Sequence, residues 1–249
     1  MKTNYSIFQI FQSAEESFEI IGDSEHVKKY VLKQSGAILL FLFLYGLIMG
    51  SHNGMLQSLV TGIKIPVLFF FSLIICFPAF YVIQYVIGST MSFYQMTNII
   101  LSGFVVFSTI SLSFAPIVVF FMITGNNYSF LKLLHVSIFV FAGIFALKII
   151  LKGLKFSYEK KNVYPKLGIN VFKIWIIIFA FVSTQLAWNL RPFVGSKDLP
   201  FELFREKEGN FYLAIIHSMQ NLFNIPEANT NDKTEVEPVP KLLDSIDKE

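Results

Sequence analysis

Five long apolar blocks dominate this chain, at roughly 36–54, 65–87, 97–124, 130–151 and 172–190. The hydrocarbon layer of a bilayer is about 30 Å thick, and crossing it as a helix takes roughly 17–25 apolar residues at about 1.5 Å each. Each block reaches that length. Each is expected to be helical, because an isolated strand in lipid leaves backbone N–H and C=O groups unpaired. The fold class expected is therefore all-α, a polytopic transmembrane bundle of about five spans. Apolar residues make up 54% of the 249 positions, and their gathering into blocks, rather than their number, separates this chain from a soluble domain. The formal charge of +3 is small and divided among connections, so nucleic acid is not an expected partner. Cys76 is the sole cysteine, which rules out a disulfide within the chain. The first block starts only near Ser35, after several acidic residues, so a signal peptide is not expected.

Lysine and arginine set the expected orientation. The connection between the fourth and fifth blocks carries, with its flanks, Lys148, Lys152, Lys155, Lys160, Lys161, Lys166 and Lys173, and Lys28, Lys29 and Lys33 precede the first block. Lys64, Lys132, Arg191, Lys197, Arg205 and Lys207 fall on the other side. Five spans with a cytoplasmic N-terminus place the richer group inside. The organisation expected is an amphipathic cytoplasmic segment (1–35), the bundle (36–190), an extracytoplasmic loop with an interfacial helix (191–224) and an acidic, disordered tail (225–249). Ile7, Phe11, Ala14, Phe18 and Ile21 recur at helical spacing in the first segment. Tyr212, Ile215, Ile216, Met219, Leu222 and Phe223 do so in the third.

The fifth block ends on "TQLAWNLRPFVG" (184–195), where Gln185, Trp188, Asn189 and Arg191 precede Pro192. Two readings stand. As an interface anchor, Trp188 sits at headgroup level, Arg191 extends its charge into water and Pro192 discourages further helix. As a polar cluster, Gln185 and Asn189, four apart and so on one helix face, join Arg191 toward a cavity or partner. The stretch QLAWNLRPFVG, followed by FREKEGNFY (204–212), resembles the C-terminal signature of an uncharacterised family of bacterial polytopic membrane proteins. That family is loosely grouped with the Yip family of Rab-interacting membrane proteins. The resemblance rests on Trp188, Arg191, Pro192, Phe193, Gly195, Glu208, Gly209, Asn210, Phe211 and Tyr212, runs from about 36 to 224, and takes in SFAPIVVFF (113–121). It implies a bacterial cytoplasmic (inner) membrane location, and it carries no catalytic residue over to this chain. The five-span count and cytoplasmic N-terminus agree with the Yip-like grouping, whose short N-terminal motifs are not seen here.

Other patterns bear on packing. Gly46, Gly50 and Gly54 repeat every four residues, a row of small side chains along which a second helix can approach closely, within the bundle or in a second copy. The third block holds Ser102, Ser108, Thr109, Ser111 and Ser113 ahead of Pro116. It is read as one tilted helix kinked at Pro116, with two half-helices as the alternative. Its hydroxyls serve either the kinked helix itself or a permeation path.

No Asp or Glu occurs between Glu25 and Glu159, nor within the fifth block. Intramembrane carboxylates are the usual machinery of proton coupling and aspartyl hydrolysis. The four histidines, His26, His52, His135 and His217, lack metal-ligand spacing, and phosphate-loop and serine-hydrolase motifs are missing. No catalytic residue, metal or cofactor is expected. The chain reads as a noncatalytic scaffold or accessory subunit, bound to the bilayer and to a membrane-protein partner or a second copy. The alternative is a permeation subunit for a small solute.

Overall fold

The computed structural model describes residues 27–124, 128–160 and 165–194, together with Ile10, Ser17, Phe18, Leu203, Phe204, Ile215, Ile216, Met219 and Gln220. Most of the amphipathic N-terminal segment, Gly195, residues 208–212 of the signature and the acidic tail lie outside these residues. Every element among these residues is helical: α1 (Val27–Gly50), α2 (Met55–Val86), α3 (Phe93–Ser113), α4 (Ala115–Thr124), α5 (Tyr128–Lys160) and α6 (Pro165–Leu190). Taken with α4 continuing α3, five helical stretches among the described residues are long and apolar enough to cross a membrane. Large apolar side chains such as Ile74, Ile123 and Ile177 are well exposed, as lipid contact requires. The chain is an integral membrane protein built as an all-α bundle.

The helices run past the apolar blocks. α1 begins nine residues before position 36, α2 takes in the polar Gln57, Thr61 and Lys64, and α5 continues through Lys152 and Lys155. Lysine and glutamine are good helix formers, so the backbone continues after hydropathy fades. Local chemistry sets the ends. Gly88 adopts φ +99° after α2, and the chain closes a Schellman turn there. Ser89 N–H donates to the Gln84 carbonyl (3.0 Å) and Gly88 N–H to that of Tyr85 (3.0 Å). Ser92 opens α3 with a capping box: its hydroxyl accepts from Gln95 N–H, and Gln95 Oε1 accepts from Ser92 N–H. Pro165 occupies the first position of α6, where the missing N–H costs nothing.

The third span is one crossing built from two abutting helices. They part at Phe114, two residues before Pro116, so the break lies ahead of the proline itself. Phe114 N–H is shared between the Ile110 and Ser111 carbonyls (both 3.2 Å), and Val118 N–H takes up the Phe114 carbonyl (3.1 Å). Proline offers no N–H to the carbonyl four residues back and crowds it, which opens the preceding turn. The hydroxyls of this region turn inward on their own helix. Ser102, Ser108, Thr109 and Ser113 each donate to a carbonyl three or four residues earlier.

In space the spans are ordered α6–α2–α1–α3–α5. α4 rests on α1 and α5, and α5 meets α6 only lightly. A chain of aromatic rings fills the interior. It runs from Phe172 and Phe80 through Trp175 and Phe179 to Phe104, then by Phe69 and Phe107 to Phe139 and Tyr45. Successive centroids lie 4.7–6.0 Å apart. Such pairs add about 0.5–1.5 kcal/mol each beyond the area they bury. Ile10 and Phe18 pack with Val106 against the side of this bundle.

Candidate functional site

Polar side chains inside an apolar bundle must find partners, and here they gather at its two ends. One end, the Pro192 end, holds the α1–α2 turn, the start of α5 and the finish of α6. Gln57, Thr61 and Lys64 follow one another at spacings of four and three, which aligns them on one face of α2. The chain leaving α6 folds back over that face. Gln57 Nε2 donates to the Pro192 carbonyl (3.0 Å), Thr61 Oγ1 to that of Phe193 (2.8 Å), and Lys64 Nζ to those of Pro192 (3.4 Å) and Leu203. The Lys64 ammonium also lies 4.9 Å from the centre of the Phe204 ring. Lys64 is only 6% exposed, so carbonyl dipoles and a ring face replace the water it has lost. The three side chains form a latch whose hydrogen bonds to the returning chain end on main-chain carbonyls.

The residues expected at this end divide into pairs. Pro192 is buried under the latch, and its bond to Arg191 is cis. The Arg191 guanidinium stacks on Trp188, 3.7 Å from the ring centre. Asn189 Nδ2 donates to the Gln185 carbonyl (3.0 Å), and both residues are exposed on the same face of α6. Thus Trp188 with Arg191 and Gln185 with Asn189 lie at one helix end, while Pro192 turns away toward α2.

The glycine row divides as well. A Cβ added to Gly46 would lie 2.8 Å from Gly62 Cα and from the Thr61 carbonyl oxygen, and one added to Gly50 would lie 2.6 Å from the Gln57 oxygen. Both glycines therefore face α2 of the same chain at backbone contact. Gly54 does not belong to the row. The helix ends at Gly50, and Gly54 stands in the turn at φ +129° with nothing within 4 Å of an added Cβ. Its four-residue spacing carries no meaning once the helix has stopped.

Further polar contacts tie helix to helix. Tyr45 OH and His135 Nδ1 pair at 2.8 Å between α1 and α5. At the opposite, lysine-rich end, Gln34 Nε2 donates to Ser102 Oγ (2.9 Å) and Asn98 Nδ2 to the Val27 carbonyl (3.1 Å). There Tyr158 OH donates to Gln84 Oε1 (2.7 Å), and Gln84 Nε2 in turn to the Gly168 carbonyl (2.8 Å). Trp175 Nε1 donates to the Cys76 carbonyl (2.9 Å), two residues before Pro78 in α2. Among the described residues no three of His, Cys, Asp and Glu come together as a metal would need.

Sequence reasoning missed the latch because the second block was drawn from position 65, which left Gln57, Thr61 and Lys64 in a connection. The available signal was their i, i+4, i+7 spacing immediately before Pro66. Comparison with family models, with curated proteins and with solved structures gives no match to this chain.

Proposed function

We propose that this integral membrane protein is a noncatalytic scaffold or accessory subunit of a membrane complex, seated in a bacterial inner membrane with its N-terminus cytoplasmic. The observation that carries the reading is how the chain spends its buried polar groups. Gln57, Thr61, Lys64, Gln84, Tyr158 and Trp175 all hold the chain's own carbonyls or helices, and packed aromatic rings occupy the space between spans. A rigid body of that kind suits presentation of a surface. The exposed Gln185–Asn189 face beside the Arg191–Trp188 stack is the surface we assign to a partner, since amide and guanidinium donors near an aromatic ring suit protein recognition. The likeness to the bacterial membrane-protein family belongs to the same proposal.

A photo-crosslinking side chain at Gln185, followed by copurification from native membranes, tests it. A discrete adduct with one membrane protein is the expected result. The permeation reading draws on a specific observation of its own: Asn98 Oδ1 and Ser111 Oγ, both buried on α3, have no hydrogen-bond partner among the described residues. Solute flux through the purified chain in vesicles, with no adduct at Gln185, would replace the scaffold by that reading.

A further inference from the structure

One exposed face of α5 has the layout of a phospholipid. Phe141, Ile144 and Phe145 are exposed, and Lys148, Lys152 and Lys155 follow them, exposed as well. At 3.6 residues per turn all six fall within an arc of about 100°, and from Phe141 to Lys155 the row is about 21 Å long. One leaflet of a bilayer, acyl chains and headgroup region together, is about 20–22 Å thick. The opposite side of the helix, with Ala142, Ala146, Ile150, Leu154 and Tyr158, is buried in the bundle, so the row cannot rotate away from lipid.

The junction between the apolar and basic halves is itself built. Phe114, at the break between α3 and α4, meets Phe141 edge to face (5.5 Å), Phe141 meets Phe145 (4.9 Å), and the Lys148 ammonium lies 5.1 Å from the Phe145 ring centre. Lys148 is thereby held at the foot of the basic half. Glu159 shares the face but stands a turn beyond Lys155, about 6 Å further from the apolar half.

We propose that this face binds an anionic glycerophospholipid, its phosphate held by Lys148, Lys152 and Lys155 and its acyl chains laid on Phe141, Ile144 and Phe145. The proposal is independent of the scaffold reading. A lipid, rather than a free phosphate, is the ligand because the cations continue an apolar row that a soluble anion would leave unused.

Binding of dioleoyl phosphatidylglycerol and dioleoyl phosphatidylcholine to the full chain in detergent, titrated by native mass spectrometry, tests it. Phosphatidylglycerol should bind about tenfold more tightly, with a preference that shrinks as salt rises, because lysines near an anionic headgroup act electrostatically. K148Q/K152Q/K155Q should lower its affinity about tenfold or more, K148R/K152R/K155R should stay within about threefold of the parent, and K132Q, at the far end of α5, should match it. Equal binding of the two lipids, a preference indifferent to salt, or an unchanged glutamine variant overturns the assignment. So does a K132Q variant that loses as much affinity as the triple glutamine variant. Displacement of the lipid by glycerol phosphate at comparable concentration would mark a soluble-phosphate site and also overturn it. Should the glutamine variant fail to fold, the lipid and salt comparisons on the parent chain still decide.

Discussion

Replacing Gly50 by alanine adds a single methyl group where the backbones of α1 and α2 are in contact. Its Cβ would lie 2.6 Å from the Gln57 oxygen and 2.8 Å from both Ser58 Cα and Thr61 Cβ. Ordinary separations between nonbonded carbons are about 3.5–4.0 Å, so α1 and α2 must part by about 1 Å. Main chain supplies two of these three atoms, and it cannot rotate aside as a side-chain tip could. Overpacking of this kind costs about 1–3 kcal/mol. Separation also lengthens the bond from Ser58 Oγ to the Leu47 carbonyl, now 2.6 Å. Alanine recovers up to about 1 kcal/mol of helix propensity inside a helix, but Gly50 is the last residue of α1 and gains little of it. The expected loss for Gly50→Ala is therefore about 1–3 kcal/mol. At about 2–4 °C per kcal/mol for a chain of this size, that lowers the melting temperature in detergent by about 2–12 °C. Gly50→Leu should fall further. Gly36→Ala is the control, since nothing lies within 4 Å of its added Cβ, and it should hold or gain stability. A Gly50→Ala protein that melts with the parent, or a Gly36→Ala protein that loses as much, would refute the reasoning.

Lys64→Met keeps the apolar stem but removes the donors to Pro192 and Leu203; hydrogen exchange around Phe193 and Val194 should rise, with a stability loss of about 1–3 kcal/mol. Unchanged exchange there would mean that the latch holds without its cation. Arg191→Lys should preserve insertion and stability to within about 1 kcal/mol, since an ammonium also sits over an indole, whereas Arg191→Ala should lower the yield of correctly inserted protein. A well-inserted Arg191→Lys chain that no longer recovers its partner would show that the planar fork of donors takes part in the recognition assigned to this surface, and full recovery would leave that recognition to Gln185 and Asn189. For orientation, cysteines placed at Lys160 and Lys207 should differ toward a membrane-impermeant thiol reagent on intact cells, with 207 labelled and 160 protected. The native Cys76 is buried and adds little background. Labelling at 160 alone would invert the topology.

What could be read before the structure was what hydropathy encodes. A lipid-spanning stretch has to be long, apolar and helical, so the number and class of the spans were legible. Boundaries were not, because helix formation outlasts hydropathy wherever lysine or glutamine follows an apolar run, as at Lys152 and Gln57. The glycine row shows the limit of spacing as a signal. Four-residue periodicity means one face only while the helix lasts, and it stops at Gly50. At Pro116 the kind of distortion was legible and its position was not, since proline disturbs the turn before it and the break falls at Phe114. The latch was hidden for another reason. Its acceptors are carbonyls of Pro192, Phe193 and Leu203, and a main-chain acceptor leaves no mark on the residue type that carries it.

The spatial order of the helices also governs the order in which the chain can be made. α1 and α2 are joined by four residues and meet along glycines, so their hairpin can close soon after both have entered the membrane. α3 finds α1, and α5 then finds α3. α6, the last to emerge, must return to α2, its distant partner in sequence, and contacts so remote in sequence form late. Until it arrives, the Cys76 carbonyl lacks the Trp175 donor and the ring of Phe80 lies bare along α2. A chain stopped after α5 would carry that uncovered strip into the bilayer, with lipid in the place of Phe172 and Trp175.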